Sequence, residues 1–432
     1  MTVAAAVNLG GAQQRLLPEA IPSRFFATAV FAHTLAWAGL AVVADDVPFY
    51  WGGPGPAAAA IHTLTLGVLL STAVGASLQM LPVALGVAAP SARMCNVTYG
   101  LMLAGGVILI GGFAAHLIIL PAAGAVLLLA AVGTFAATLF GIVGSASGNR
   151  MVRYPVWAAI ASLTLAVTLA VLLASDTAFG VLPDHHLAAV AHMVLAAFGF
   201  MGMLALGFSQ ILIPMFAVAE PPRDRMATLA FGLALAALAV TLAALAAGTL
   251  IGVALGALTG LAAAGCHVLG MARTLAKRMR KRLGGEFLLI RFSWAMLLLG
   301  LILAASLALD LLPPTGPALF GFVVLFGWLL SLLTGVLQRV LPFLASMHVF
   351  RAGARPLTPS KLVDERALRV HRWCHFTALG AVAAGILFAE PLPIRLGALT
   401  GAAGAVAYGW FAASVFLRTR DHLKSSPLPR KG

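Results

Sequence analysis

Two histidines, His62 and His192, each precede a copy of one short phrase of the sequence. The phrases occupy residues 75–82 and 207–214, and each runs from a glycine to a proline with a glutamine between them. The histidines lie 13 residues (75 − 62) and 15 residues (207 − 192) before their phrases. Two imidazoles at similar depth on equivalent buried helices suit the axial positions of a haem iron, or a haem with a copper ion. We therefore predict that His62 and His192 bind haem, with copper as a further candidate.

His33 and His186 are the candidates for a third ligand. His33 falls near the middle of the first apolar run, and His186 lies shortly before His192. We take His33 as a further haem ligand and His186 as a further metal ligand. The alternative is that each histidine bonds a neighbouring carbonyl and only packs helices. The run Asp184-His185-His186 also suits a solvated helix start with Asp184 as its N-cap.

His371 and His375 stand four residues apart, the spacing at which one helical face can hold a metal. Arg369 and Arg372 beside them would oppose cation binding, so a polar face at the membrane interface is the simpler interpretation. Together with His267 the pair forms the main rival to the His62 and His192 site.

A third copy of the phrase occupies residues 335–342, so the three initial glycines lie 132 and 128 residues apart (207 − 75 and 335 − 207). Recurrence at nearly one interval indicates three structural units of the same kind. We expect the three glutamines to form hydrogen bonds between helices, while the glycines allow close helix approach. The alternatives for the glutamines are a polar ring on the central axis and a site for a quinone head group.

Composition determines the class of protein that contains these motifs. Hydrophobic residues make up 61% of the 432 residues, charged residues 9%, and the mean hydropathy is +1.02. A soluble protein could not cover its surface with so few charges. We predict an all-α integral membrane fold, a single transmembrane domain over residues 1–432, with twelve transmembrane helices in three pseudo-symmetric four-helix repeats, approximately 24–150, 151–285 and 286–420. The predicted spans are 24–44, 57–83, 95–115, 119–141, 155–175, 187–214, 227–247, 249–272, 287–310, 317–342, 369–388 and 392–417.

The distribution of charge gives the predicted orientation. With a cytoplasmic N-terminus, every Lys and Arg except Arg395 falls on an inner segment, which predicts a multi-pass protein with both termini cytoplasmic. The net charge of +14 is then a positive-inside charge beside anionic membrane lipid, so no nucleic acid partner is expected. The three cysteines carry no Cys-x-x-Cys motif, and disulfides are not expected. The oligomeric state is left open.

Twelve spans in three arcs, with a histidine in the outer part of the second helix, resemble the haem-copper oxidase catalytic-subunit superfamily. The phrases from His62 to Pro82, from His192 to Pro214 and from Gly327 to Leu344 are similar to its divergent NnrS-like branch. The resemblance implies haem, with or without copper, in a bacterial inner (plasma) membrane. For the NnrS-like branch it also implies a link to nitric oxide stress and denitrification, with electron transfer from a redox partner protein as a further function.

The chain also departs from that superfamily. Members that reduce oxygen or nitric oxide carry a His-x-His pair on the tenth helix, where this sequence has Phe320-Gly321-Phe322. They also need metal histidines on helices six and seven, and the predicted seventh helix has none. We therefore do not expect a complete oxygen or nitric oxide reductase, and whether the protein is catalytic stays open. A transporter or metal-assembly factor that kept the fold is the alternative function.

Overall fold

The computed structural model describes residues 15–222 and 224–425, and every regular element in these residues is helical. Two elements are short, the 3-10 turn Val47–Phe49 and the single turn Pro359–Leu362. The long helices are α1 Ala20–Val42, α2 Pro56–Leu85, α3 Ala92–Ala114, α4 Ile119–Gly144, α5 Arg150–Phe179, α6 His185–Ala217, α7 Asp224–Ala246, α8 Leu250–Ala276, α9 Glu286–Ala308, α10 Gly316–Arg351, α11 Glu365–Phe388 and α12 Pro391–Ser425.

Within the described residues, 11 of these helices are long and apolar enough to cross a membrane. The chain is therefore an all-helical, multi-pass membrane protein. The exception is α11, whose first half carries charged side chains, including Glu365 and Arg369, and is too polar to qualify. The predicted breaks between residues 115 and 119 and between 247 and 249 are confirmed, because α3 and α4, and likewise α7 and α8, are separate helices.

Each of α2, α6 and α10 contains one π-helical stretch of eight residues. The stretches are Thr63–Leu70, Leu195–Gly202 and Val323–Leu330, and their first residues lie 132 and 128 residues apart (195 − 63 and 323 − 195). These are the same intervals that separate the glycine phrases. A π-helical turn widens the helix by one residue and is frequently found at functional sites.

The repeated glycines lie where an inner helix meets the helix that precedes it. A Cβ atom on Gly75 would lie 2.6 Å from the Cβ of Phe25 in α1, and one on Gly207 would lie 3.2 Å from the Cβ of Pro155 in α5. Gly335 likewise faces α9 at 3.1 Å. The predicted role of the glycines is confirmed, because a larger side chain would force these helices apart.

Helix contacts follow one pattern around the molecule. α1 packs on α2, α5 on α6 and α9 on α10, while α4 packs on α5, α8 on α9 and α12 on α1. The contact of α12 with α1 closes the ring. At that closure the Arg395 guanidinium pairs with the Asp45 carboxylate at 2.5 Å (Nη2 to Oδ2), so the one cation predicted to face outward has an acidic partner.

The three glutamines do not bond between helices as predicted. Gln79 accepts a hydrogen bond from the Leu17 backbone N–H (3.2 Å), which precedes α1, and Gln210 donates to the Leu206 carbonyl of its own helix (3.3 Å). Neither amide atom of Gln338 has a partner among the described residues. The prediction is wrong because the two partners found belong to the segment before α1 and to the same helix as the amide, and neither is a neighbouring helix.

The centre of the three inner helices is apolar. A cavity of about 70 Å³ lies between α2, α6 and α10 and is lined by side chains such as Met80, Leu212 and Val340. None of the three glutamines lines it. The alternative of a polar ring on the central axis therefore has no support in the geometry.

Candidate functional site

His62 and His192 do not occupy equivalent positions in their helices. His62 directly precedes the π-helical stretch of α2, whereas His192 lies three residues (195 − 192) before that of α6. The residue of α6 that matches His62 is Val194 (62 + 132). A two-residue offset corresponds to about 200° of rotation and about 3 Å of depth on a regular helix. The two rings therefore face different parts of the protein, His62 a carbonyl of its own helix and His192 a carbonyl of α5.

Both rings are half-buried and are oriented by a backbone carbonyl. His62 Nδ1 lies 2.8 Å from the Ala58 oxygen in its own helix, and His192 Nδ1 lies 2.8 Å from the Ala166 oxygen in α5. A carbonyl oxygen can only accept, so Nδ1 carries the proton in both rings and Nε2 carries the lone pair. Metal-binding histidines are oriented in this way, with the ring nitrogen remote from the metal bonded to a carbonyl.

Neither His62 nor His192 lines the 70 Å³ cavity or the large cavity described below. The ring of Phe113 in α3 packs against His62 at 5.2 Å between centroids, tilted by 47°. The two imidazoles lie within electrostatic range of each other. Both ring N–H groups bond to carbonyls and not to hydroxyls, and the hydroxyls of Thr63 and Ser209 bond to carbonyls of their own helices. This arrangement offers two neutral nitrogen donors.

His186 lies at the exposed start of α6 and lines a large cavity, away from the contacts of His62 and His192. Asp184 caps this helix by accepting a hydrogen bond from the Leu187 backbone N–H (2.9 Å), which confirms the predicted N-cap. The neighbouring His185 pairs with Asp176 at 2.8 Å. The segment thus behaves as a polar helix start.

His33 belongs to a different cluster. Its ring centroid lies 5.8 Å from that of His371 and 5.9 Å from that of Tyr408, and its Nε2 accepts a hydrogen bond from Trp37 Nε1 (3.2 Å). His375 lies beside His371, with 5.5 Å between centroids. The structure therefore groups His33 with the histidines of α11.

The prediction that His371 and His375 form an interfacial polar face is wrong. Each side chain is only 1% exposed, and both point into the protein between α10, α11 and α12. The error arose from the arginines: Arg369 points to the exterior, and the Arg372 guanidinium packs against Gly285. Arg369 and Arg372 therefore lie on a different face of α11 from the imidazoles of His371 and His375.

His267 is not part of that cluster and lines a separate cavity of about 940 Å³. Its ring lies 6.3 Å from Trp294, and its Nδ1 is buried without a hydrogen-bond partner among the described residues. The proposed rival set of His267, His371 and His375 is therefore divided between two places. No simple sequence signal links His267 to a cavity, because the cavity walls are largely alanine, leucine and other apolar residues from seven helices.

The cavity is an apolar space whose few polar groups lie near its ends. Ser209 and His267 lie on one side, and Tyr50, His186 and Asp310 lie near the loops on the other. Burial raises the pKa of the Tyr50 hydroxyl to about 12, so the phenol stays neutral and donates to the Gly53 carbonyl oxygen at 2.7 Å. The volume of the cavity suits a lipid-soluble small molecule, since ligand pockets typically measure about 300–1,000 Å³.

Comparison with known proteins does not assign a family. The sequence matches no protein-family model and no curated protein. Among the described residues, no group of three or more His, Cys, Asp or Glu side chains is arranged to hold a metal ion. Function therefore has to be argued from the pairs of histidines and from the cavity.

Proposed function

We propose that this protein binds haem through His62 and His192. The observation that carries the proposal is the shared hydrogen-bond pattern, in which each Nδ1 faces a backbone carbonyl at 2.8 Å and each Nε2 keeps its lone pair. The donor set fits the two axial positions of haem iron. It does not extend to copper with three protein ligands, because the described residues supply no third donor to this pair.

Haem supplies one-electron chemistry when it is bound, and the protein sets how that chemistry is used. His62 and His192 would hold the haem, and with two imidazole ligands it would supply electron transfer in preference to reaction with a diatomic gas. The carbonyls of Ala58 and Ala166 hold the imidazoles in one orientation and increase their basicity as ligands.

The proposed architecture has twelve spans in three four-helix repeats, with α11 as the twelfth span. Its support is the common spacing of the π-helical stretches and the glycines, and the ring of helix contacts. We infer both termini to be cytoplasmic and the membrane to be a bacterial inner membrane. A cysteine-labelling scan of the loops tests the orientation: labelling of the 277–285 loop from the outside would contradict it.

The biological role we propose is protection against, or response to, nitric oxide, with a redox partner protein as electron donor. The similarity of three phrases to the NnrS-like branch supports it. So does the run Phe320-Gly321-Phe322, which lines the large cavity in place of a His-x-His pair. Deleting the gene should sensitise the organism to nitric oxide and leave oxygen respiration intact. Oxygen turnover by the purified protein with a reduced donor would contradict the proposal.

An optical spectrum tests haem binding directly. Protein purified in detergent should show a Soret band, and His62→Ala and His192→Ala should each weaken haem binding by more than about tenfold, since even indirect changes around a ligand cost 10–100-fold. His186→Ala is the matched control, because it removes a histidine from the same helix as His192 without touching the pair. Colourless wild-type protein after growth with added haem would overturn the proposal.

The second candidate function is binding or transport of a lipid-soluble solute. The 940 Å³ cavity favours it, with His267 as the buried polar group that would meet a solute head group. Colourless protein that contains neither iron nor copper but copurifies with a small apolar molecule would favour this function. His267→Leu should then reduce the amount of that molecule, whereas His62→Ala should not.

A further inference from the structure

The cluster on α11 holds two ring nitrogens that are buried and have no hydrogen-bond partner. They are Nε2 of His371 and Nδ1 of His375, and both side chains are 1% exposed. The rings stand on successive turns of one helix face, 5.5 Å apart between centroids and inclined by 31°. An unsatisfied buried polar group costs about 1–3 kcal/mol, so two at one place require an explanation.

The hydrogen bonds on the opposite side of each ring fix which nitrogen carries the proton. His371 Nδ1 donates to the Gly404 carbonyl oxygen of α12 at 3.2 Å, which leaves a lone pair on Nε2. The Ser331 hydroxyl donates to the Phe326 carbonyl oxygen, so it accepts from His375 Nε2 at 2.8 Å. The lone pair of His375 is then on Nδ1. Two acceptors are thus present together, without a donor.

His33 does not provide that donor or a third ligand. Its Nε2 accepts from Trp37, so its proton is on Nδ1 and the ring has no lone pair left for a metal. Its ring meets His371 edge-on, at 79° between planes, and His371 Nε2 accepts no hydrogen bond from it. Tyr408 is directed elsewhere, since its hydroxyl donates to the Thr334 carbonyl oxygen at 3.4 Å. The pair is therefore a two-nitrogen site, which agrees with the absence of a three-ligand arrangement among the described residues.

The charges around the pair determine what kind of ion could bind. The titratable groups that act on the two rings are His33 and Arg372, and no carboxylate is among them. A divalent ion would therefore stay uncompensated in an apolar interior, where the cost of an isolated charge is large. A monovalent ion costs far less, because the solvation energy of an ion grows with the square of its charge. Copper is an ion that imidazole suits.

We propose that His371 Nε2 and His375 Nδ1 bind one Cu(I) ion between α10, α11 and α12. The two rings are four residues apart on one helix, the spacing at which one helical face can hold a metal, and their centroids lie 5.5 Å apart. Both unpartnered nitrogens carry lone pairs, so Cu(I) would bind without releasing a proton from either ring and without a change of oxidation state. The site is separate from the haem pair and does not depend on it.

Copper titration under reducing conditions tests the proposal. Because Cys95, Cys266 and Cys374 are free and could bind Cu(I), the parent protein for the experiment carries serine at all three positions. It should bind one Cu(I) in competition with bicinchoninate. His371→Asn and His375→Asn in that parent should each weaken binding by more than about tenfold. The inference is overturned if the cysteine-free parent binds no Cu(I), or if both asparagine variants bind it as tightly as the parent does.

Two further variants, Ser331→Ala and His62→Ala/His192→Ala, and one spectrum of the parent protein complete the test. Ser331→Ala leaves both ligands in place but removes the hydroxyl that holds the His375 tautomer, so copper affinity should fall by about 10–100-fold even if an asparagine variant fails to fold. X-ray absorption of the loaded parent should show two imidazole ligands, and a spectrum without imidazole scattering would overturn the inference. His62→Ala/His192→Ala should keep the copper, which separates failure of this site from failure of the haem proposal.

Discussion

His62 and His371 make the same first contact, since Nδ1 of each ring bonds to a backbone carbonyl oxygen. They differ in what surrounds the other nitrogen. His62 is half-buried beside Phe113, whereas His371 is 1% exposed and its Nε2 is sealed in without a partner. The comparison teaches that the same orienting bond occurs at a half-buried imidazole and at a fully enclosed one, the two places where we propose a haem and a single ion. Access, more than ligand chemistry, separates the two regions.

The largest expected effect is on redox potential at the accessible site. His192→Met should keep the haem but raise its reduction potential by on the order of 100 mV, because a thioether ligand favours the reduced iron. A spectroelectrochemical titration measures the shift. His371→Met is the control and should leave the potential unchanged. Equal shifts in both variants would mean that the two regions do not differ as described.

The next effect is on stability in the closed region. His33→Phe should lower the free energy of unfolding by about 1–3 kcal/mol, because the Trp37 N–H, in a side chain that is 0% exposed, loses its acceptor. Thermal unfolding in detergent measures the change. His62→Phe at the half-buried site should cost less than about 1 kcal/mol in haem-free protein. A greater loss at His62 than at His33 would reverse the comparison.

A smaller effect of opposite sign is expected at His375. His375→Leu in metal-free protein should leave stability unchanged or raise it by up to about 1 kcal/mol, because it removes a buried acceptor that has no donor. The melting temperature in the presence of a copper chelator reports the change. Ser331→Ala is the control and removes the same hydrogen bond while leaving the unpaired acceptor in place. A fall of several degrees in His375→Leu alone would show that Nδ1 has a partner.

The smallest effect is expected at the exposed helix start. His186→Ala should leave the Soret absorbance unchanged. It should change the free energy of unfolding by no more than about 0.5 kcal/mol, because the His186 side chain is exposed. Absorbance and melting curves recorded side by side check both. Loss of haem in this variant would bring His186 back as a ligand.

Much of the architecture could be predicted from residue patterns. Apolar run lengths located the helices, and the repeated glycine phrase located the three inner helices and their closest approaches. The π-helical stretches were missed, although they share the spacing of the phrase, because no side chain marks a widened helical turn. The role of the glutamines was also missed, since their partners depend on which helix face each amide occupies.

The sequence by itself determined the membrane class, the helices and the repeated spacing, because these depend on local hydropathy and on residue periodicity. It also selected His62 and His192, whose spacing to the phrase is a local property. Only the tertiary structure decided that His33 lies with His371 and His375, on helices from opposite ends of the chain that meet where α12 closes the ring against α1. Which ring nitrogens are left without partners depends on packing between distant helices, and spacing along the chain carries no record of it.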